Sequence, residues 1–146
     1  MRITQEADYA LRIAYLLAKD GGVLGAGLLA EAAGVSERFA LKILRKLTQS
    51  GIVTSKKGAG GGYMLAVQPG EVNMRRVVEV IDGPLEISRC LDNGYECTRM
   101  GDERHLCAFH LIFSKINKCI SEKMESVTLD SLIGEDLNIE NILSKL

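Results

Sequence analysis

Apolar residues recur at helical spacing near the start of the chain, where Tyr9, Ile13, Leu16 and Leu17 share a face. The pattern predicts a helix that opens on Thr4 as N-cap and ends at Gly21-Gly22. A short second helix over residues 28–33 is broken at Gly34, and Ser36 caps a third that runs to about residue 50. In this third helix Ala40, Ile43, Leu44 and Leu47 form the inward stripe, while Arg38, Lys42, Arg45 and Gln49 point the other way. Two helices joined by a tight glycine turn make a helix-turn-helix, and an outward cationic face on the second suits the major groove of DNA. Taken alone, that face would equally suit an ordinary solvated surface.

The next stretch weighs against the ordinary surface. The apolar period shortens to that of strands over residues 51–55 and 63–67, with Lys56-Lys57-Gly58-Ala59-Gly60-Gly61-Gly62 between them. A glycine-rich turn with two lysines, set between strands after such a helix, reads as a wing: glycines let the backbone approach phosphates and lysines neutralise them. A nucleotide-cradling loop is the other reading, but the P-loop order is missing and no helix follows the last glycine at once. The DNA-contacting candidates are therefore Ser36, Arg38, Lys42, Arg45, Lys56, Lys57, Gly60 and Gly61.

Pro69-Gly70 ends the wing, and Asn73 caps a helix through Val77, Val78, Val80 and Ile81 that Asp82-Gly83-Pro84 closes. The longest amphipathic segment comes late, with Phe109, Ile112, Phe113, Ile116, Ile120, Met124 and Val127 at helical spacing. So much apolar surface on one late helix predicts a dimer interface. Cys119 falls on that stripe and is expected to be buried packing. Thr128 restarts the chain as an N-cap, with Val127 and Leu132 placed as a hydrophobic staple and Gly134 as the stop. A tail with Ile139, Ile142, Leu143 and Leu146 is expected to dock.

Composition adds a division of labour. The 146 residues suit one domain with an appendage. Net charge is only −1, but residues 1–82 carry eleven Lys and Arg against eight Asp and Glu (+3), and 83–146 carry seven against eleven (−4). A basic front and an acidic back fit a binding module followed by a sensing or oligomerising one. The expected class is mainly α with a small β-wing: a winged helix-turn-helix DNA-binding domain over 1–83, a cysteine-containing loop over 84–108, and a dimerisation helix with C-terminal tail over 109–146. No apolar leader or membrane-length run occurs, so the protein is expected to be cytoplasmic, where thiols stay reduced.

Three of the four cysteines, Cys90, Cys97 and Cys107, lie in one polar loop, separated by six and nine residues, with His110 three after the last. Zinc sites draw on cysteine pairs two to four residues apart, which are absent here. The wide spacing suits a larger object such as an iron-sulfur cluster, and it leaves room for zinc, a thiol redox switch or plain unliganded cysteine. A helix begun near His105 would put Cys107 and His110 on one face. Asp8, in a first helical turn, reads on its own as a surface residue that complements the helix dipole. Nothing in the chain supplies a nucleophile and base, so an enzyme is disfavoured. A regulator without a cluster, controlled by thiol oxidation, zinc or a partner protein, is the closer rival.

The opening Met-Arg-Ile-Thr, Asp8-Tyr9-Ala10-Leu11-Arg12, the turn Gly34-Val35-Ser36, the wing Gly58-Ala59-Gly60-Gly61-Gly62-Tyr63 and the cysteine triplet together resemble the Rrf-two family of bacterial transcription regulators. The resemblance covers about residues 1–133. It implies a winged-helix homodimer, most simply a repressor on a pseudo-palindromic double-stranded operator, with a 2Fe–2S or 4Fe–4S cluster held by Cys90, Cys97 and Cys107 near the dimer interface. His110 resembles the histidine that completes the cluster in the IscR-like branch. Asp8 resembles the aspartate that the partner subunit supplies in the NsrR-like branch, and the unbroken N-terminal match favours it. The gap from Cys97 to Cys107 is longer than the family pattern, through the inserted Asp102-Glu103-Arg104-His105.

Overall fold

Thr4 opens the first helix as expected: its hydroxyl oxygen accepts from the Ala7 amide, and α1 runs Gln5–Asp20 to a left-handed Gly21. The computed structural model of the chain describes residues 3–133 and 139–146. The buried face of α1 is Ala7, Ala10, Ile13, Ala14, Leu17 and Ala18, with Tyr9 and Leu16 half-buried at its edges. The inward stripe is thus rotated toward alanines, whose small side chains let neighbouring helices lie close.

α2 spans Ala26–Ala33 and begins two residues before the expected start, because extended Gly25 serves as N-cap without a side-chain bond. Left-handed Gly34 turns the chain, Ser36 accepts from the Phe39 amide at 3.3 Å, and α3 runs Glu37–Gln49. Ala40, Ile43, Leu44 and Leu47 are fully buried, as the periodicity predicts.

The wing strands are β1, Val53–Lys56, and β2, Gly62–Leu65, antiparallel with Val53 opposite Leu65 and Lys56 opposite Gly62. β1 begins later than predicted because Ile52 still donates to the Leu47 carbonyl at the end of α3. β2 begins earlier because Gly62 is the ladder partner of Lys56, and Leu24 pairs with Tyr63 in both directions, at 2.8 and 2.9 Å, so the link between α1 and α2 borders the wing. That approach explains Gly62, where a Cβ would fall on the Leu24 carbonyl oxygen.

A 3-10 turn at Pro69–Glu71 leads to α4, Met74–Asp82, capped by Asn73, which accepts from the Arg76 amide at 2.8 Å. Further 3-10 turns at Arg89–Leu91 and Gly101–Leu106 shape the cysteine loop, and α5 covers Ala108–Ser126. The chain then returns to the winged part. Met74 donates to the Val127 carbonyl at 2.9 Å and Leu129 donates to the Val72 carbonyl at 2.8 Å. Leu129 is 1% exposed in the same core as α1 to α4, beside the short α6, Asp130–Ile133. Thr128 donates its hydroxyl to Asp130, and Gly134, the expected stop, lies outside the described residues.

A smaller cluster of Ala7, Val78 and Leu85, flanked by Leu11, Ile81, Ile120 and Met124, joins α1, α4 and α5. The final helix, α7, is Ile139–Lys145. Leu143 and Leu146 are exposed, so these two do not dock as expected. Among the described residues no helix is long and apolar enough to cross a membrane.

Candidate nucleic-acid interface and cysteine loop

α3 turns Arg38, Arg45 and Gln49 outward, and among the described residues no ion pair holds either arginine. Lys42 shares this face but not this freedom. Its ammonium meets Glu6 of α1 at 2.7 Å and lies 5.7 Å from the Phe39 ring centre. Lys46 reaches the other Glu6 oxygen at 2.8 Å and the Ile81 carbonyl at 3.4 Å. Burial alone would raise the Glu6 pKa, but hydrogen bonds from Lys42 and Lys46 and their charge outweigh it and hold the carboxyl below its ordinary range. Beside this cluster Asp82 accepts from both the amide and the hydroxyl of Thr4, tying the end of α4 to the start of α1. Sequence reasoning missed Glu6, Lys46 and Asp82, whose partners lie 35 to 78 residues away.

On the wing, Lys57, Gly58, Ala59 and Gly60 are exposed at the turn, and Lys56 is the last residue of β1 rather than part of the loop. Gly61 is structural as well as close to the tip. A Cβ there would strike the carbonyl oxygens of Lys56 and Gly58, so the turn closes only around glycine.

The cysteine loop hangs from α5 by two side chains seven residues apart. Asn117 accepts from the Ile87 amide at 3.0 Å and donates to the Leu85 carbonyl at 2.8 Å. His110 lies 3.0 Å from the Cys90 carbonyl through Nδ1. A carbonyl only accepts, so Nδ1 is the donor of this bond, which in the neutral imidazole leaves the lone pair on Nε2. Cys90 also has the Ser88 hydroxyl 3.3 Å from its sulfur. Arg104 braces the loop by donating to the carbonyls of Asp92 and Tyr95. The thiol of Cys97 is held below its ordinary pKa by the Met100 and Arg99 amides, against a smaller effect of burial, with Arg99 and Arg104 adding charge. Cys107 occupies the N-cap position of α5.

Cys90, Cys97 and Cys107 are all free and half-buried. Among the described residues no three His, Cys, Asp or Glu side chains gather into a metal-holding group. The donor set, three thiols and an imidazole oriented through Nδ1, suits a cluster chemically, but the loop must tighten to bring the sulfurs together. Asp8 is not brought to them within one chain; it pairs with Arg12 at 2.8 Å on the surface of α1.

Cys119 corrects the sequence reading, for it is exposed rather than buried. α5 packs through the side bearing Asn117, Ser121 and Met124. Its richest apolar strip lies about a quarter turn away, leaving Phe109, Ile112 and Ile116 between 45% and 60% exposed and Cys119 in line with them.

A helix-turn-helix whose second helix faces outward with arginines, beside a lysine-bearing two-stranded wing, defines a winged-helix DNA-binding protein. The family model Rrf2, an iron-dependent transcriptional regulator, matches residues 3–135, and the chain belongs to this family. It is 27% identical over 143 residues to the HTH-type transcriptional regulator IscR of Pectobacterium atrosepticum, covering 95% of this chain and 84% of that protein. It is 30% identical over 134 residues to Protein aau3 of Rhizobium meliloti, covering 91% and 85%. Among solved structures, CymR, the global cysteine regulator of B. subtilis, superposes with a TM-score of 0.73 at 23% identity over 91% of this chain and 96% of that one. T. potens IscR does so with a TM-score of 0.69 at 22% identity over 100% and 92%. The protein is a DNA-binding transcription regulator, not an enzyme.

Proposed function

We propose that the protein is a cytoplasmic homodimeric repressor that binds a pseudo-palindromic operator through α3 and the wing and senses redox, nitric oxide or iron status through an iron-sulfur cluster on the 90–107 loop. Residues 1–83 bind DNA, 84–108 sense, and within 109–146 α5 pairs the subunits while residues 127–133 pack on the winged part. Base readout falls to Arg38 and Arg45, phosphate contact to Ser36, Lys56, Lys57 and the Gly60-Gly61 backbone, with Lys42 joining once Glu6 releases it. The observation that carries the sensing reading is the hydrogen bond from His110 Nδ1 to the Cys90 carbonyl. Metal-bound histidines donate their other ring nitrogen in this way. It favours His110 over Asp8 as the fourth ligand beside Cys90, Cys97 and Cys107, because Asp8 is engaged by Arg12. The exposed strip of α5 supports pairing of two copies.

Iron and sulfide analysis of anaerobically purified protein tests the cluster. Visible absorbance that is lost in Cys90→Ala, Cys97→Ala, Cys107→Ala and His110→Ala, but kept in Asp8→Ala and Cys119→Ala, is the expected result. Colour lost in Asp8→Ala and kept in His110→Ala would transfer the fourth position to a carboxylate from the second subunit.

A second reading rests on Cys97, whose thiol is held below its ordinary pKa by backbone amides and so suits control by thiol oxidation. A solved relative of this fold, CymR of Staphylococcus aureus, has been described in an oxidized form. Colourless anaerobic protein, whose operator affinity changes when Cys97 alone is oxidised, would favour this reading.

A further inference from the structure

Leu41 departs from the rest of the recognition helix. The other aliphatic residues of α3, Ala40, Ile43, Leu44 and Leu47, are fully buried, whereas Leu41 is 41% exposed on the outward side. One exposed leucine is ordinary on a protein surface. Its surroundings are what matter. It lies three residues after Arg38 and four before Arg45, the spacing that places side chains in one row of a helix. Both arginines are exposed and without ion pairs among the described residues, while the neighbouring Lys42 is drawn back to Glu6. The outermost row available to a groove is therefore cation, apolar, cation. A second protein surface fits this row poorly, since it would have to desolvate two guanidinium groups around one leucine. The DNA major groove fits it well. Guanine edges accept from arginine, and the C5 methyl of thymine is the apolar group that the four bases display there.

We propose that Leu41 is a specificity-determining residue that packs on the C5 methyl of a thymine lying between the base pairs addressed by Arg38 and Arg45. The inference rests on α3 being the helix that enters the groove. At about 1.5 Å of rise per residue and about 3.4 Å per base step, Arg38 and Arg45 span roughly three steps. The thymine then sits one to two steps from the pair read by either arginine.

The test begins with a site selected by the full-length protein from a random duplex library. Each thymine is then replaced singly by uracil, which removes the methyl and keeps the pairing and the major-groove carbonyl. The wild-type protein is expected to lose about fourfold in affinity at one thymine per half-site, the loss for one buried methyl group. Leu41→Ala should bind the thymine and uracil versions of that site equally, and Leu41→Met should restore the preference. If Leu41→Ala keeps the wild-type thymine-to-uracil ratio at every position, or if no thymine methyl matters to the wild type, the inference is overturned and DNA binding by α3 stands. A library from which nothing is enriched overturns the DNA-binding reading itself.

Discussion

Lys57 stands on the wing turn with no partner among the described residues, so its charge is free for a phosphate. Lys57→Ala is expected to weaken binding to all sequences alike and to lower the slope of log affinity against log salt by about one, read by fluorescence anisotropy across a salt series. Arg38→Ala differs in kind. It should relax preference at one base pair by about 1 to 3 kcal/mol, and equal losses on specific and random DNA would refute base readout by that residue. Glu6 governs a third behaviour. Folding depresses its pKa, so its ion pairs with Lys42 and Lys46 contribute fully at neutral pH, weaken as pH falls below the ordinary glutamate value, and vanish below the depressed one. Glu6→Gln should remove that acid-side loss, which is about 0.5 to 1 kcal/mol for pairs whose lysine ends stay in reach of solvent, as followed by urea unfolding between neutral and acid pH. The same change frees two lysines on α3 and should steepen the salt dependence of DNA binding.

Between elements, one side chain holds two backbone groups at once: Asn117 satisfies a donor and an acceptor of the segment leaving α4. Asn117→Ala would strand both backbone groups, at a cost of about 1 to 3 kcal/mol. The expected result is a lower urea midpoint with faster hydrogen exchange at Ile87; protection there that matches wild type would show that the clamp is incidental. Elements with local signals were legible in the sequence. Thr4, Ser36 and Asn73 cap the helices assigned to them, and the inward stripe of α3 matches residue for residue, because capping and amphipathic burial act within a few positions. The strand limits were not, since the pairing of Lys56 with Gly62 sets where β2 begins and no local pattern encodes it. The candidate site divides in the same way. The spacing of cysteines and the cationic face of α3 are visible along the chain, whereas the Glu6 cluster and the His110 tether join residues 20 or more positions apart.

For the whole molecule, the proposed pairing of subunits rests on the exposed strip of α5. Ile116→Asp should leave the fold intact and convert a dimer to monomers in sedimentation velocity, with loss of cooperative operator binding. Cys119 reports on the same surface: it should react with maleimide quickly in that variant and slowly in the wild type. Periodicity revealed this strip but not what covers it, which is why Cys119 was expected inside. The return of residues 127–129 to the segment before α4 was equally hidden, and it changes what a cut in the chain would do. Arg99 lies in the exposed part of the cysteine loop, open to trypsin. Cleavage there separates two fragments in sequence only. Leu129 remains seated in the core of the first fragment and α5 remains packed on α4, so the nicked halves should co-elute as one particle and still bind the operator. By contrast, a chain ending at residue 99 would leave Val72 and Val78 uncovered, making the carboxy-terminal piece a subunit that the amino-terminal piece needs in order to fold.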